Sequence, residues 1–443
     1  MIHILLLALA PLAVPEPTIT SGTELVYRGE LGPKDNDAGN RKTFDLKLWI
    51  AAASEQGAEL LWLLEERGPG ELPWPSRFGR LSVDRDWRAN GHGPAVLYDR
   101  GDGRTSVNIA LPFFKAREPL AADVTIADGP LTSHVDKATK VGEKPAWRIS
   151  QKDGFGPKRS LTVDQASPVV WSLKEKLTMG RGVEYELKLE LVSSGTQAGE
   201  HLTALVSAFN ALGALVTRLN VPPGAQDITW NDTQLATLRE GLPGVSELAV
   251  ATPLAGFVSA ARRDLDVQTG RSDGVAELAT KSVGRTVQPF ALRGVAEGLS
   301  EEGLRGQVTI LHFWDYRDEP LKEPYGQVGY LDFMYHRRKT AGLRVFGVAV
   351  DGRLADEKTR GASERSVRKL IGFMNLSYPV LYDAGSLIKQ FGDPRVVGAS
   401  LPLFIVVGRD GKILHYHAGT YAVHQDQGLR ELDDVVSAAL SEK

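Results

Sequence analysis

Two groups of residues in this chain have the types and spacing to do chemistry. The first is Asp318-Glu319, which follows the run Gln307–Trp314 with His312 inside it. Adjacent carboxylates with an imidazole nearby could act as a general base or as metal ligands. The plainer role is structural, with Asp318 capping a helix and both carboxylates favouring its positive end. For His312 the plainer role is a buried, hydrogen-bonded strand residue. The second group is His415 and His417, which alternate on one strand and so point to the same face, with His424 a short loop away. Two imidazoles on a face could hold a divalent cation, but a firm site needs a third or fourth ligand and none stands at fixed spacing. Their plainer role is that of exposed sheet-edge histidines. Thiol chemistry is excluded, because the chain has 0 cysteines and the thiolate is the nucleophile of disulfide exchange and of thiol peroxidases. Nucleophile-elbow, zinc-protease and phosphate-loop signatures are missing, and no cofactor is expected.

The elements that must position these residues change character along the chain. From Thr23 to Val192, polar and apolar residues alternate, the period of half-buried strands. The pattern holds in Glu24–Arg28, Thr43–Trp49, Arg104–Leu111, Ala146–Ser150 and Arg159–Val163, and is strictest in Val183–Leu191. Gly91-His92-Gly93, Gly101-Asp102-Gly103 and Gly180-Arg181-Gly182 mark turns. An antiparallel β-domain is expected over residues 18–195, with Trp74, Trp87 and Trp147 in core or turn packing rather than on a binding surface. The period then becomes helical at Leu202, Leu205, Phe209, Leu212, Val216 and Leu219. Further helices are expected over Asp232–Glu240, stopped by Gly241 and Pro243, from Thr252-Pro253 to Val267, and over Val275–Lys281. This makes residues 196–282 a helical connector, with exposed breaks at Val221–Gly224 and Gly270–Gly274.

In the last third, apolar strands alternate with helices. Strands are expected at Val308–Trp314, Arg344–Val350, Pro379–Tyr382, Leu403–Val407 and Lys412–His417. Helices are expected at Glu319–Thr340 (Pro324 being where it would break), Glu364–Asn375, Gly385–Phe391 and Gly428–Leu440. The segment Phe313-Trp314-Asp315-Tyr316-Arg317-Asp318-Glu319-Pro320-Leu321 resembles the active-site segment of redoxin (TlpA-type) members of the thioredoxin-like superfamily. Arg317 replaces the second Trp, Asp318 and Leu321 replace the two cysteines, and only Pro320 of the motif remains. Phe346–Asp351 resembles the family's second central strand, and Ser400–Val407 with Gly408–Ile413 its cis-proline strand and hairpin. Val283–Leu292 resembles its entry.

That resemblance implies a thioredoxin-like domain over residues 283–443 and a cis Leu401-Pro402 bond. It also implies a binding edge for an extended polypeptide formed by Leu401 and Pro402 with Trp314 and Arg317. The fold class is an α+β multidomain chain: antiparallel β-domain, helical connector, C-terminal α/β thioredoxin-like fold. The function implied is a redox-inactive protein- or peptide-binding module; the alternative is an enzyme with non-thiol chemistry built on Asp318, Glu319 and His312, or on a metal at His415 and His417.

Composition bounds the rest. The chain has 443 residues, is 42% hydrophobic and 24% charged, and carries a net charge of −3. It shows no basic run beyond Arg337-Arg338-Lys339, read as a solvated helix face, so nucleic acid is not an expected partner. Ile4–Val14 is too short to span a bilayer and reads as the core of a signal peptide over residues 1–17. Export to a periplasmic or extracellular compartment is the expectation, with no further transmembrane segment.

Overall fold

The computed structural model describes residues 19–34, 41–67, 70–101, 103–116, 119–180, 182–197, 199–222, 224–317 and 325–442. The expected signal peptide and Asp318, Glu319, Pro320 and Leu321 lie outside the described residues. The chain forms two compact units, Met1–Leu265 and Asp266–Lys443.

In the first unit the strands are β1 (Thr23–Pro33), β2 (Lys42–Ser54), β3 (Gly57–Arg67), β4 (Phe78–Asp84), β5 (Ala89–Asn90), β6 (Ala95–Asp99) and β7 (Arg104–Asn108). They continue as β8 (Thr125–Asp128), β9 (Leu131–Val141), β10 (Lys144–Asp153), β11 (Gly156–Asp164), β12 (Val170–Met179) and β13 (Val183–Thr196). Eleven of them form one sheet in the order β5-β4-β3-β2-β1-β13-β12-β11-β10-β9-β8, while β6 and β7 form a separate hairpin. Every neighbouring pair in that sheet is antiparallel. Strict alternation in β13 sends Tyr185, Leu187, Leu189 and Leu191 into one core, where β6–β7 adds Val96, Tyr98 and Val107. Period-two burial of this kind sets register, because a one-residue slip would expose the whole set.

The central strands β2 and β3 are buried on both faces. Phe44, Leu46, Leu48, Leu60 and Leu64 join the first core, while Trp49, Leu61 and Leu63 enter a second core made with helices. Those helices are α1 (Gly199–Leu219), α2 (Asp232–Ala249) and α3 (Ala255–Ser282). The expected connector is therefore corrected: α1, α2 and the start of α3 are a layer of the first unit. Leu205, Phe209 and Leu212 of α1, Leu235 and Leu238 of α2, and Val258 and Ala261 of α3 pack with the strand residues. By length and composition α1 could also cross a bilayer, but its apolar stripe sits in this core. Trp74 and Trp230 point their indole N–H groups at the same Asp264 carboxylate, at 3.1 and 3.0 Å.

Two expected helix breaks are absent. Helix α2 starts at a reciprocal Asn231/Gln234 capping box and runs through Pro243, held by burial of Leu242, Val245 and Ala249. Gly241 is there for contact, since a Cβ would stand 2.6 Å from the Leu215 side chain of α1. Helix α3 likewise passes through Gly270–Gly274. A Cβ on Gly274 would come within 2.8 Å of Val397, so close packing offsets the roughly 1 kcal/mol that a helical glycine costs.

The second unit opens with two short strands, β14 (Ala291–Leu292) and β15 (Leu299–Ser300). It continues with β16 (Val308–Trp314), α4 (Val328–Arg338), β17 (Leu343–Val350), α5 (Glu357–Met374), β18 (Val380–Asp383), α6 (Ser386–Phe391), β19 (Leu403–Val407), β20 (Ile413–Ala418) and α7 (Arg430–Ser441). Its sheet has the order β18-β17-β16-β19-β20. Strands β16, β17 and β18 are mutually parallel, and β19 is antiparallel to both β16 and β20. Leu331, Leu370 and Leu432 from α4, α5 and α7 cover one face. Leu387 and Phe391 of α6 cover the other, joined by Val275 and Leu278 from the end of α3. A sheet covered on both sides explains why β16 and β19 read as continuous apolar runs rather than alternating ones. The Leu401-Pro402 bond is cis.

Candidate functional site

Register places the candidate residues at one end of the second unit's sheet. Phe313 of β16 lies opposite Leu403 of β19, so Trp314, where β16 ends, and Pro402, just before β19, share that end. Strand period puts His312 on the same face as Val308 and Ile310, and the residue is fully buried. Its Nδ1 lies 2.7 Å from the Tyr316 hydroxyl, which lies 3.2 Å from that of Tyr378. The imidazole leans on the Phe404 ring at 4.7 Å. Among the described residues its Nε2 has no hydrogen-bond partner. Burial pushes the imidazole down to about 3, with the Gly326 backbone opposing the shift, so His312 is neutral at ordinary pH. Enclosed and uncharged, it is a core residue and not an accessible general base.

Tyr316 closes this network at a tight spot. It is fully buried with φ 47, and its hydroxyl stands where a Cβ on Gly347 of β17 would come within 2.4 Å. Gly347→Ala should therefore cost the second unit about 1–3 kcal/mol through overpacking, and push the hydroxyl away from His312 and Tyr378. Thermal melts of the variant beside Tyr316→Phe check this. A melt unchanged in Gly347→Ala would show that the tyrosine does not occupy that position.

Among the described residues helix α4 begins at Val328, and the expected helix start at Glu319 lies outside them. Tyr325, Gly326 and Gln327, at φ 52, 61 and 64, all lie in the left-handed region, so no right-handed helix runs through them. Gly326 is required there, since a Cβ would sit 2.5 Å from the Trp314 indole. The Gln327 side chain holds the turn from a distance: its amide donates to the Tyr421 carbonyl at 2.8 Å, and its oxygen accepts from the Tyr421 N–H at 2.9 Å. Nothing in the local sequence marks this pairing of residues 94 apart. Arg317 forms an ion pair with Asp315.

His415 and His417 do lie on one face, with rings parallel and 6.3 Å apart. Tyr421 decides their roles. It stacks on His417 at 3.8 Å, and its hydroxyl meets His415 Nε2 at 2.7 Å. Burial, reinforced by the neighbouring His415, pushes His417 down to about 4 against the Thr420 backbone, and burial lowers His415 as well, with Glu431 opposing. Among the described residues no three His, Asp or Glu side chains converge as a metal site would need.

At the start of β19 the backbone is less committed. The Pro402 carbonyl accepts from the Gly419 N–H at 2.7 Å, while the backbone groups of exposed Ser400 and half-buried Leu401 bond to none of the described residues.

No protein-family model matches this chain, and no curated protein matches it. Solved structures do. A Chlorobium tepidum protein assigned as the thiol:disulfide interchange protein DsbE is 22% identical over 36% of this chain and 99% of its own, with TM-score 0.29. StoA from Bacillus subtilis is 18% identical over 34% and 96%, with TM-score 0.25. A secreted Mycobacterium tuberculosis disulfide oxidoreductase is 18% identical over 34% and 95%, also at TM-score 0.25. By the order and direction of its own five strands, the second unit has a thioredoxin-like fold, and it is built without a cysteine.

Proposed function

We propose that the second unit is a redox-inactive thioredoxin-like module that binds an extended polypeptide along Ser400 and Leu401, beside Trp314 and Arg317. The observation that carries this reading is that the Ser400–Leu401 backbone pairs with none of the described residues, immediately before a strand that is hydrogen-bonded on both sides. Such groups accept an added strand by main-chain pairing, and that pairing needs no thiol. The location proposed is extracytoplasmic, which rests on the apolar run Ile4–Val14.

The test uses reduced, carboxymethylated lactalbumin as an extended-chain probe. Binding should slow amide hydrogen exchange at Ser400 and Leu401, while peptides from β16 exchange as before. Binding without protection at those two residues would place the ligand elsewhere, and absence of binding would refute the module. In a separate assay with insulin and dithiothreitol, the chain should precipitate insulin no faster than buffer alone. Catalytic turnover there would contradict the loss of redox function.

A further inference from the structure

The large sheet of the first unit ends in β5 on one side and β8 on the other, and each is bonded to a single neighbouring strand. Yet residues from both ends line one cavity of about 670 Å³. Arg88, directly before β5, faces it, and so do Thr125, Ile126 and Ala127 of β8. The sheet therefore curls until its edges confront each other across a gap. The third wall is Phe114-Lys115-Ala116, fixed by the Phe114 N–H bonding to the Pro168 carbonyl at 2.8 Å and by Phe113 packing on Trp87 at 4.7 Å. Two non-glycine residues in left-handed conformation, Trp87 (φ 60) and Asp123 (φ 63), stand just before lining residues on opposite sides. Strained positions of this kind concentrate at ligand sites.

The lining is chemically two-sided. Phe114, Val124 and Ile126 are half-buried and apolar, whereas Arg88 and Lys115 are exposed and cationic. Among the described residues that line it, none carries a carboxylate, although the chain as a whole is net negative. We propose that this seam cavity binds a small amphiphilic anion, a carboxylate with an apolar chain of about ten carbons, a body suited to a pocket of this size. The chain lies on Phe114, Val124 and Ile126, and the carboxylate meets Arg88 and Lys115.

Isothermal titration of the full chain with decanoate, decanol and acetate tests the assignment. Decanoate should bind, with decanol weaker by about tenfold or more and acetate silent at about 1 mM. Raising salt from about 0.05 M to about 0.5 M should weaken decanoate severalfold, because the cations are exposed. Arg88→Ser combined with Lys115→Ser should weaken it by about tenfold or more. Ile126→Asp, which puts a carboxylate against the ligand, should abolish it; each variant's thermal midpoint is measured alongside. If either variant misfolds, the decanol and salt comparisons on the unaltered chain still decide. Equal binding of decanol and decanoate, salt-independent binding, full affinity in a folded double variant, or no decanoate binding would each overturn the proposal.

Discussion

As pH falls from 6.5, the second unit should lose stability steeply, and His312 should be the main cause. Its folded imidazole is held down at about 3 by burial, against 6.5 in a solvated chain. The unfolded state therefore takes up a proton that the folded state refuses, and stability falls with pH throughout that interval. The contribution is intact above pH 6.5, costs about 2 kcal/mol by pH 5 and about 4 kcal/mol near pH 3. His417, lowered to about 4, acts in the same direction. The check is a thermal midpoint series from pH 8 to pH 4 on the protein and on His312→Asn, whose side chain stays neutral throughout. The variant should be less stable at pH 8, because the Tyr316–Tyr378 network is disturbed, and its acid slope should be flatter. Parallel slopes for the two proteins would mean that His312 titrates normally and is open to solvent.

Glu66→Ala should be the most damaging single truncation in the first unit, at about 3–5 kcal/mol. The Glu66 side chain is 0% exposed and its Oε1 pairs with the Lys42 ammonium at 3.1 Å, itself only 5% exposed. The same carboxylate accepts the Leu97 N–H at 2.9 Å and the Leu72 N–H at 2.6 Å. It thus fastens both the β6–β7 hairpin and the segment after β3 to the large sheet. Truncation leaves a buried cation and two buried amides unpaired, which is why the loss exceeds that of an ordinary ion pair. Lys42 keeps only the Gly70 carbonyl, at 3.0 Å. Urea unfolding followed by tryptophan emission gives the value. Lys42→Met with Glu66→Leu should recover part of it, since no charge is then stranded, while the two amides stay unsatisfied. A cost below about 1 kcal/mol for Glu66→Ala would show the pair to be hydrated.

The five strands of the second unit's main sheet were legible because each signal is local, while the two-residue strands β14 and β15 were not. Val308–Trp314 and Leu403–Val407 are apolar runs bounded by turn residues, and they form strands with those bounds. Strict alternation in Val183–Leu191 likewise names its buried face without any knowledge of the partner strand. The absence of thiol chemistry needed no structure at all. The start of α4 was not legible, because Tyr325–Gln327 is held left-handed by Trp314 and by the Tyr421 backbone. The helices after β13 show their apolar stripes in sequence, but a stripe does not say what covers it, and here the cover is β2 and β3. Gly241 and Gly274 look like breaks and serve as contacts, since a missing Cβ has one local meaning and another beside a packed neighbour. Residue types and spacing alone determined the strand periods, the apolar helix stripes and the lack of a thiolate nucleophile. Tertiary structure decided which histidines are enclosed, where α4 begins and that the edges of the large sheet meet around a cavity, because each depends on contacts between residues far apart in the chain.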